Sequence, residues 1–289
     1  MDSMRQVTTK SEKQLGVTGA GSNLATPIPL VHYPDLQRQV RAMRDDGYVY
    51  FPGILSAEEI SELRALMDRL EPMEEYFDSE RKAGEGEFPS KVLNNAFNRD
   101  PLLLGFIDRP GVIELVEAIH GDDAHILGMT IWLTGPGRPP QQLHADWQPL
   151  TLPQDIMEDE RVQIPVFIST MHYYLDDIHH ELGPTHFVPG SHRAGRPPDG
   201  DTTFKGREEQ SIMCRRGDGL LFRSEVWHRG TANTSQQMRY LLQVHYARRM
   251  ITQKFPPYPH RFRIDEDIFK RANPRQRRLL GDHKPSNYD

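Results

Sequence analysis

The hydrophobic pattern of this chain changes its period near residue 124, and that change constrains the fold more than any other feature of the sequence. Upstream, apolar residues recur every three or four positions, which is typical of one buried helix face. Downstream, apolar and polar residues alternate in short segments separated by Gly/Pro/Asp turns, which is typical of strands. Several short strands with such turns predict an antiparallel sandwich or barrel. We therefore expect a mainly β fold with flanking helices.

The individual elements follow from the same pattern. Ser56 and Glu59 have the side chains and the spacing of a capping box, so a helix is expected to begin there. Further helices are predicted over 33–46, 101–107 and 111–120, and a short strand over Tyr48–Phe51. The strand candidates of the second half are His125–Leu133, Gln141–Asp146, Pro165–Leu175, His186–Val188, Ser211–Met213, Gly219–Phe222 and Arg239–Arg248.

The ends of the chain are less regular. Residues 1–26 are rich in Ser, Thr, Gly and Gln without any period, and they predict a mobile tail. We expect a single domain over residues 27–289. Its strand core would span about 124–250, and residues 251–289 would form a C-terminal extension that the pattern does not assign.

Composition excludes several classes of protein. The mean hydropathy is -0.65, and the longest apolar runs have the length of strands, so no membrane span is expected. Cys214 is the single cysteine, which excludes an internal disulfide and fits a reducing cytoplasm, and no secretory signal is visible. A net charge of -6 argues against broad binding to nucleic acid. We expect a cytoplasmic monomer or homodimer.

Two His-x-Asp tripeptides make a metal site worth considering. A non-haem iron site needs two histidines and one carboxylate on one face of the metal, and a strand points residues i and i+2 the same way. His120-Gly121-Asp122 ends a predicted helix, where glycine and histidine are typical capping residues, so a structural role is favoured. His144 and Asp146 lie in an alternating segment instead, and there a metal site competes evenly with a buried, satisfied histidine.

The wider context favours the metal site. The segment LDDIHHELGPTHFVPGSHR (175–193) and the later RRGDGLLFRSEVWHRGTANTSQQMR resemble the phytanoyl-CoA dioxygenase-like family of Fe(II)/2-oxoglutarate oxygenases. The resemblance covers roughly residues 38–250. It is strongest from Gly183 to His192 and in Trp227–Gly230.

The resemblance implies a double-stranded β-helix core, that is, a jelly roll of the cupin-like type. It implies that His144, Asp146 and His228 hold Fe(II), because these positions match the family's HxD pair and distal histidine. The family's arginine for the far carboxylate of 2-oxoglutarate follows that histidine by eleven residues, a position that Arg239 occupies. O2 would take the remaining metal position.

Further residues are weaker candidates. Gln142 is two residues before His144, so on a strand its amide could reach 2-oxoglutarate or serve structure alone. Lys91 lies in a segment that often binds co-substrate or substrate in similar enzymes, although a surface lysine is the favoured interpretation. The predicted walls of the substrate pocket are Trp147, Trp132 and His172.

The predicted activity is oxidation of a C–H bond in a small, free molecule, with release of succinate and CO2. Hydroxylation is the default, while desaturation, ring closure and epimerisation share the same ligands; Asp146 argues against a halogenase, which lacks that carboxylate. The alternatives are a zinc hydrolase, which leaves Arg239 unexplained, and a non-catalytic cupin-like binding module. Residues 148–164 are expected to form a lid near the site.

Overall fold

The computed structural model describes residues 24–72, 88–159, 161–253 and 264–284, and in these ranges it has nine strands, six α-helices and several short 3-10 helices. The strands are β1 (Tyr48–Phe51), β2 (Ser90–Leu93), β3 (His125–Thr134), β4 (Ile168–Tyr174), β5 (Thr185–Phe187), β6 (Gln210–Ser211), β7 (Gly219–Arg223), β8 (His228–Gly230) and β9 (Arg239–Ala247). The helices are α1 (Leu36–Asp45), α2 (Ala57–Arg69), α3 (Ile113–His120), α4 (Gln154–Met157), α5 (Glu266–Arg271) and α6 (Pro274–Leu279).

Two antiparallel sheets form the jelly roll that the sequence predicted. The larger sheet has six strands in the order β1-β7-β4-β9-β3-β2, and the smaller one has three in the order β6-β5-β8. β1 and β2 belong to the larger sheet, so that sheet begins well upstream of the predicted core boundary at residue 124. Within the described chain, no helix is both long enough and apolar enough to cross a membrane.

The two faces of the larger sheet have different partners. On β9, Leu242, Val244 and Tyr246 belong to the main hydrophobic core, which also contains the buried residues of α1, α2 and α3. Because side chains alternate along a strand, the residues between them point to the opposite face, toward the smaller sheet. That inner face carries Arg239 and Gln243, which both line a cavity.

Most sequence-based predictions of elements are confirmed. The capping box of α2 is present, with Ser56 Oγ accepting from the Glu59 amide and the Glu59 carboxylate accepting from the Ser56 amide. The helix predicted over 101–107 is a 3-10 helix at Pro101–Phe106. The prediction of a strand over Gln141–Asp146 is wrong, because the structure has only an isolated bridge there, between His144 and His228.

The two chain ends differ in what can be said of them. Residues 1–23 of the predicted mobile tail lie outside the described residues. The tail's last residues are held, since Ser211 Oγ donates to Ala25 O (2.9 Å) and the Ser211 amide donates to Thr26 O (3.0 Å). In the C-terminal extension, α5 and α6 bury Ile268 and Leu279 in the main core. These two helices therefore pack on the same core as the sheet.

Candidate metal centre and its cavity

Three potential metal ligands meet on the inner face of the barrel. The ligand atoms of His144, Asp146 and His228 all lie within 4.8 Å of one another. Asp146 Oδ1 is 3.4 Å from His144 Nε2 and 3.6 Å from His228 Nε2. Neighbouring ligands on one face of an octahedral metal lie about 3 Å apart, so these separations suit a shared ion.

Backbone hydrogen bonds bring the three residues together. The amides of His144 and His228 each donate to the other residue's carbonyl, at 2.9 and 2.8 Å. The Asp146 amide donates to Ser224 O (3.0 Å), in the loop between β7 and β8. The pair His144/Asp146 is therefore positioned by bonds to the β8 strand and the loop before it.

Both histidines are held in the tautomer that a metal requires. His144 Nδ1 lies 2.8 Å from Gln142 O, and His228 Nδ1 lies 2.8 Å from Val226 O. A carbonyl only accepts, so each Nδ1 carries a proton, and Nε2 is the nitrogen left to bind a metal. Both Nε2 atoms face Asp146. Hydrogen bonds at the other ring nitrogen commonly orient metal-binding histidines.

Electrostatics keeps the acid charged. Burial alone would raise the pKa of Asp146, but His228 and His144 outweigh burial and hold that pKa well below its usual value. Burial lowers the pKa of His228, which favours its neutral imidazole, whereas the contact with Asp146 raises the pKa of His144. Two neutral imidazoles and one carboxylate are the donor set of a non-haem Fe(II) site. The residues present thus fit the metal.

Arg239 opens β9 and lines the same cavity. It is 7% exposed, and its Nη1 donates to Gly183 O. Burial lowers the pKa of Arg239, although a guanidinium remains charged in proteins. Within the described residues, Arg239 Nε is buried without a hydrogen-bond partner. A buried, charged donor without an acceptor suits an anionic ligand in the cavity.

The structure places the Gln142 side chain outside the cavity, which leaves the structural one of the two roles considered for it. Gln142 is exposed and does not line the cavity; its contribution is the carbonyl that fixes His144. Gln141 lines the cavity instead, and its Oε1 accepts from the Gly230 amide at 2.8 Å. The expectation that residues 142 and 144 point the same way is wrong because this segment is not a strand.

Lys91 also lies elsewhere than predicted. It is 6% exposed, and its Nζ donates to the carbonyls of Met67, Asp68 and Leu70, at 3.2, 2.9 and 2.9 Å. These carbonyls lie at the C-terminal end of α2. Backbone acceptors there lack helical partners, and a nearby cation stabilises the helix end. Lys91 therefore caps a helix, and it does not line the cavity.

The cavity encloses about 270 Å³, and Trp147, Trp132 and His172 all line it. Gln243 Nε2 donates to His172 Nε2 (2.9 Å), so His172 is neutral, and burial lowers its pKa well below the usual value. Sequence reasoning missed several polar residues of the lining. These are Asn94, Asn95, Thr130, Arg138, Gln141 and Gln243.

Part of this missed set carries a readable signal. Gln243 lies four residues after Arg239 on β9, so it shares the inner face, and its cross-strand partner on β3 is Thr130. Asn94 and Asn95 follow β2, which the sequence analysis did not identify as a strand. The place of Asn94 and Asn95 in the cavity could not be predicted, because it depends on a strand that the sequence analysis had not identified.

The fold and the ligand set define a class of protein, the mononuclear iron oxygenases with a jelly-roll core. The family profile of phytanoyl-CoA dioxygenase (PhyH) matches residues 43–241. The chain therefore belongs to the PhyH family of Fe(II)/2-oxoglutarate-dependent oxygenases, as its resemblance had implied.

Two proteins with similar sequences were found at comparable identity. L-proline trans-4-hydroxylase of Streptomyces griseoviridis is 25% identical over 264 residues, covering 79% of this chain and 92% of that protein. The uncharacterized protein Rv1501 of Mycobacterium tuberculosis is 24% identical over 231 residues, covering 79% of this chain and 81% of that protein.

Solved structures share the fold. The epimerase SnoN, in complex with Fe3+, alpha ketoglutarate and nogalamycin RO, has a TM-score of 0.61 at 21% identity, covering 79% of this chain and 91% of its own. HygX from Streptomyces hygroscopicus, with nickel, 2-oxoglutarate and hygromycin B bound, has a TM-score of 0.58 at 17% identity, covering 75% of this chain and 89% of its own. At these identities the likeness establishes the jelly-roll fold.

Proposed function

We propose that this protein hydroxylates an unactivated C–H bond of a small molecule, using Fe(II), 2-oxoglutarate and O2 and releasing succinate and CO2. The observation that carries the proposal is the meeting of two histidine Nε2 atoms with one carboxylate beside a buried arginine. His144, Asp146 and His228 would hold the iron. Bound there, the iron supplies the oxidising chemistry that no side chain has.

The chain's own residues position the reactants. Gln142 O and Val226 O keep the two imidazoles in the binding tautomer. Arg239 is proposed to bind the far carboxylate of 2-oxoglutarate, with Nε as a donor and Nη1 anchored on Gly183 O. A fixed guanidinium selects a dianionic co-substrate because a planar donor pair matches a carboxylate.

The walls of the cavity complete the arrangement. Trp147, Trp132 and His172 surround the space next to the three ligands, and they would hold the substrate near the metal while excluding water. Residues 148–164, which the sequence predicts to be a lid, follow Trp147 directly, and α4 in this segment buries Met157. We keep the lid as part of the proposal.

Two alternatives use the same site. A zinc hydrolase would need the three ligands and a water, but it would leave the buried donor of Arg239 without an acceptor. A non-catalytic binding module would need neither the metal set nor that arginine. For the reaction type, hydroxylation has the support of the similar L-proline trans-4-hydroxylase, while the epimerase SnoN shows that the same fold also serves another outcome.

Anaerobic titration tests the proposal. Fe(II) and 2-oxoglutarate are added together, and the weak visible charge-transfer band of the iron chelate is recorded. We expect the band in the wild type, and we expect it to be lost in Asp146→Ala. Zn(II) binding without any band from Fe(II) and 2-oxoglutarate would favour the hydrolase, and binding of neither metal would favour the binding module.

A further inference from the structure

Several polar side chains in the wall of the cavity are paired with other groups of the protein. His172 Nε2 accepts from Gln243 Nε2 (2.9 Å), and Gln141 Oε1 accepts from the Gly230 amide (2.8 Å). A buried polar atom that has such a partner does not depend on a ligand to satisfy it. These residues therefore shape the wall without requiring anything from a bound molecule.

Asn95 differs from these residues. It lines the same cavity and is 2% exposed, yet its Nδ2 has no hydrogen-bond partner within the described residues. Its backbone has φ 48° and ψ 41°, a left-handed conformation that is uncommon outside glycine. The neighbouring Leu93, Ala96 and Phe97 are fully buried in the main core, so packing on both sides holds Asn95 in this conformation. Backbone strain that is maintained in this way is common at ligand sites.

Trp132 has a second unpaired donor. Its Nε1 is buried without a hydrogen-bond partner in the described chain. Trp132 lies on β3 opposite Leu241 of β9, and both residues line the cavity. An indole N–H only donates, and so does the nitrogen of a side-chain amide. The unpaired donors of Asn95 and Trp132 would therefore be satisfied by acceptor atoms of a ligand.

The acceptors of the wall indicate which kind of oxygen fits these donors. Gln141 Oε1 and His172 Nε2 already accept hydrogen bonds from the protein. Asn94 Oδ1 accepts from Thr130 Oγ1 at 3.4 Å. A hydroxyl or an amine brings a hydrogen that needs an acceptor of its own, whereas a carbonyl or carboxylate oxygen only accepts. An sp2 oxygen thus suits a wall whose donors are unpaired and whose acceptors are engaged.

These observations together define a class of substrate. We infer that the organic substrate is a small molecule with a carbonyl or carboxylate group, whose oxygens accept from Asn95 Nδ2 and Trp132 Nε1. The cavity of about 270 Å³ must hold this molecule beside the co-substrate, which limits its size. The inference rests on the proposed function, because there 2-oxoglutarate satisfies Arg239 Nε and leaves the other two donors to the substrate.

Compounds that differ only in the oxygen group test the substrate class. Small α-amino and α-hydroxy carboxylic acids are each compared with the primary amide, the primary alcohol and the parent compound without the group. One such series is L-proline, L-prolinamide, L-prolinol and pyrrolidine. Succinate release is measured with Fe(II), saturating 2-oxoglutarate and O2. We expect at least one acid or amide to stimulate release about tenfold more than its alcohol and its parent compound, because these lack the sp2 oxygen.

The same measurement distinguishes the two sources of that oxygen. An acid that stimulates more than its amide would identify a carboxylate, and equal stimulation by both would identify a carbonyl. Either result supports the inference. Equal stimulation by the alcohol or the parent compound, or no stimulation by any acid or amide, would overturn it.

Conservative variants test the two donors. Asn95→Asp keeps the shape of the side chain and tolerates the left-handed backbone, but it replaces the donor with a carboxylate. Trp132→Phe removes the N–H and keeps an aromatic ring. With the most active compound, the Michaelis constant should rise about 30-fold or more in Asn95→Asp and about tenfold in Trp132→Phe. The constant for 2-oxoglutarate should stay unchanged in both.

Gln236→Glu is the matched control, because it makes the same exchange of amide for carboxylate at an exposed residue outside the cavity. It should leave both constants unchanged. An unchanged constant for the organic compound in either donor variant, or a rise confined to 2-oxoglutarate, would overturn the inference. The iron/2-oxoglutarate band, recorded on the wild type without any organic compound, reports the proposed function separately, so the two failures can be distinguished.

Discussion

The chain contains the same tripeptide pattern, His-x-Asp, in two places with opposite structural results. His120 is buried at the end of α3, where its Nε2 lies 2.8 Å from Ser169 Oγ, while Asp122 is exposed. Gly121 between them has φ 107°, as is common where a helix ends. The His120 and Asp122 side chains therefore do not face a common metal position. Within the described residues, neither His120 nor Asp122 belongs to a cluster of potential metal ligands.

The second tripeptide differs in what reaches it from elsewhere in the chain. His144 and Asp146 meet His228, which a mutual pair of backbone hydrogen bonds places opposite His144. Gln142 O accepts a hydrogen bond from His144 Nδ1, which leaves Nε2 as the nitrogen available to a metal. The comparison shows that the pattern supplies two donors at most. A third donor and a fixed tautomer make the difference.

The largest expected effect is loss of turnover in the second tripeptide. His144→Ala, Asp146→Ala and His228→Ala should each abolish iron binding and succinate release, because each removes one of three proposed protein ligands. Iron content and succinate release, measured on folded protein, check this.

The first tripeptide supplies the controls. Asp122→Ala should retain iron and activity, because its carboxylate is exposed outside the cavity. A fully active Asp146→Ala enzyme would contradict the ligand assignment, and loss of iron in Asp122→Ala would remove the contrast between the two tripeptides.

The next effect concerns Arg239, the buried arginine that opens β9 and lines the cavity of the second tripeptide. Arg239→Ala should raise the apparent Michaelis constant for 2-oxoglutarate by two or more powers of ten, since breaking a buried charge pair from one side costs about 3–5 kcal/mol. Arg239→Lys should recover only part of the affinity, because an ammonium lacks the planar donor pair. Titration of 2-oxoglutarate against both variants measures this.

Lys91 and Arg138 make this measurement specific. Lys91→Met should leave the constant for 2-oxoglutarate unchanged, because the Lys91 ammonium donates to the last carbonyls of α2. If Arg239→Ala has no effect while Arg138→Gln raises the constant, the co-substrate has been assigned to the wrong arginine.

Sequence was most informative where backbone geometry is regular. Arg239 opens a strand that was predicted from the sequence, and alternation along it leads to the same inner face at Gln243, although the sequence analysis did not name that residue. The prediction of a strand through Gln142 failed because Pro139 and Pro140 precede it, and prolines lack the amide that a strand ladder needs. The prediction for Lys91 failed for a different reason. Its acceptors are about twenty residues away along the chain, at the end of α2, and no local pattern reveals such a contact.

A smaller effect should separate stability from catalysis in the first tripeptide. His120→Ala leaves Ser169 Oγ without its partner and opens space in a fully buried site. We expect a loss of about 2–3 kcal/mol in the free energy of unfolding, with turnover per folded molecule unchanged. Chemical denaturation and active-site titration with iron measure the two quantities. Unchanged stability together with reduced iron binding would reverse the roles of the two tripeptides.

The smallest expected effect is a pH dependence that belongs to His120 alone. Burial, assisted by Arg248, lowers the pKa of His120 from 6.5 to about 3. Between these values the unfolded chain binds a proton that the folded protein does not, so stability falls as the pH drops below about 6.5. At pH 5.5 this imidazole should lower the free energy of unfolding by about 1.4 kcal/mol relative to neutral pH.

Denaturation of the wild type and of His120→Asn at pH 7.5 and 5.5 isolates that contribution, because every other group titrates in both proteins. The wild type should lose about 1.4 kcal/mol more than the variant. Equal losses would mean that His120 is protonated in the folded protein, and its proposed structural role as a neutral partner of Ser169 would then be wrong.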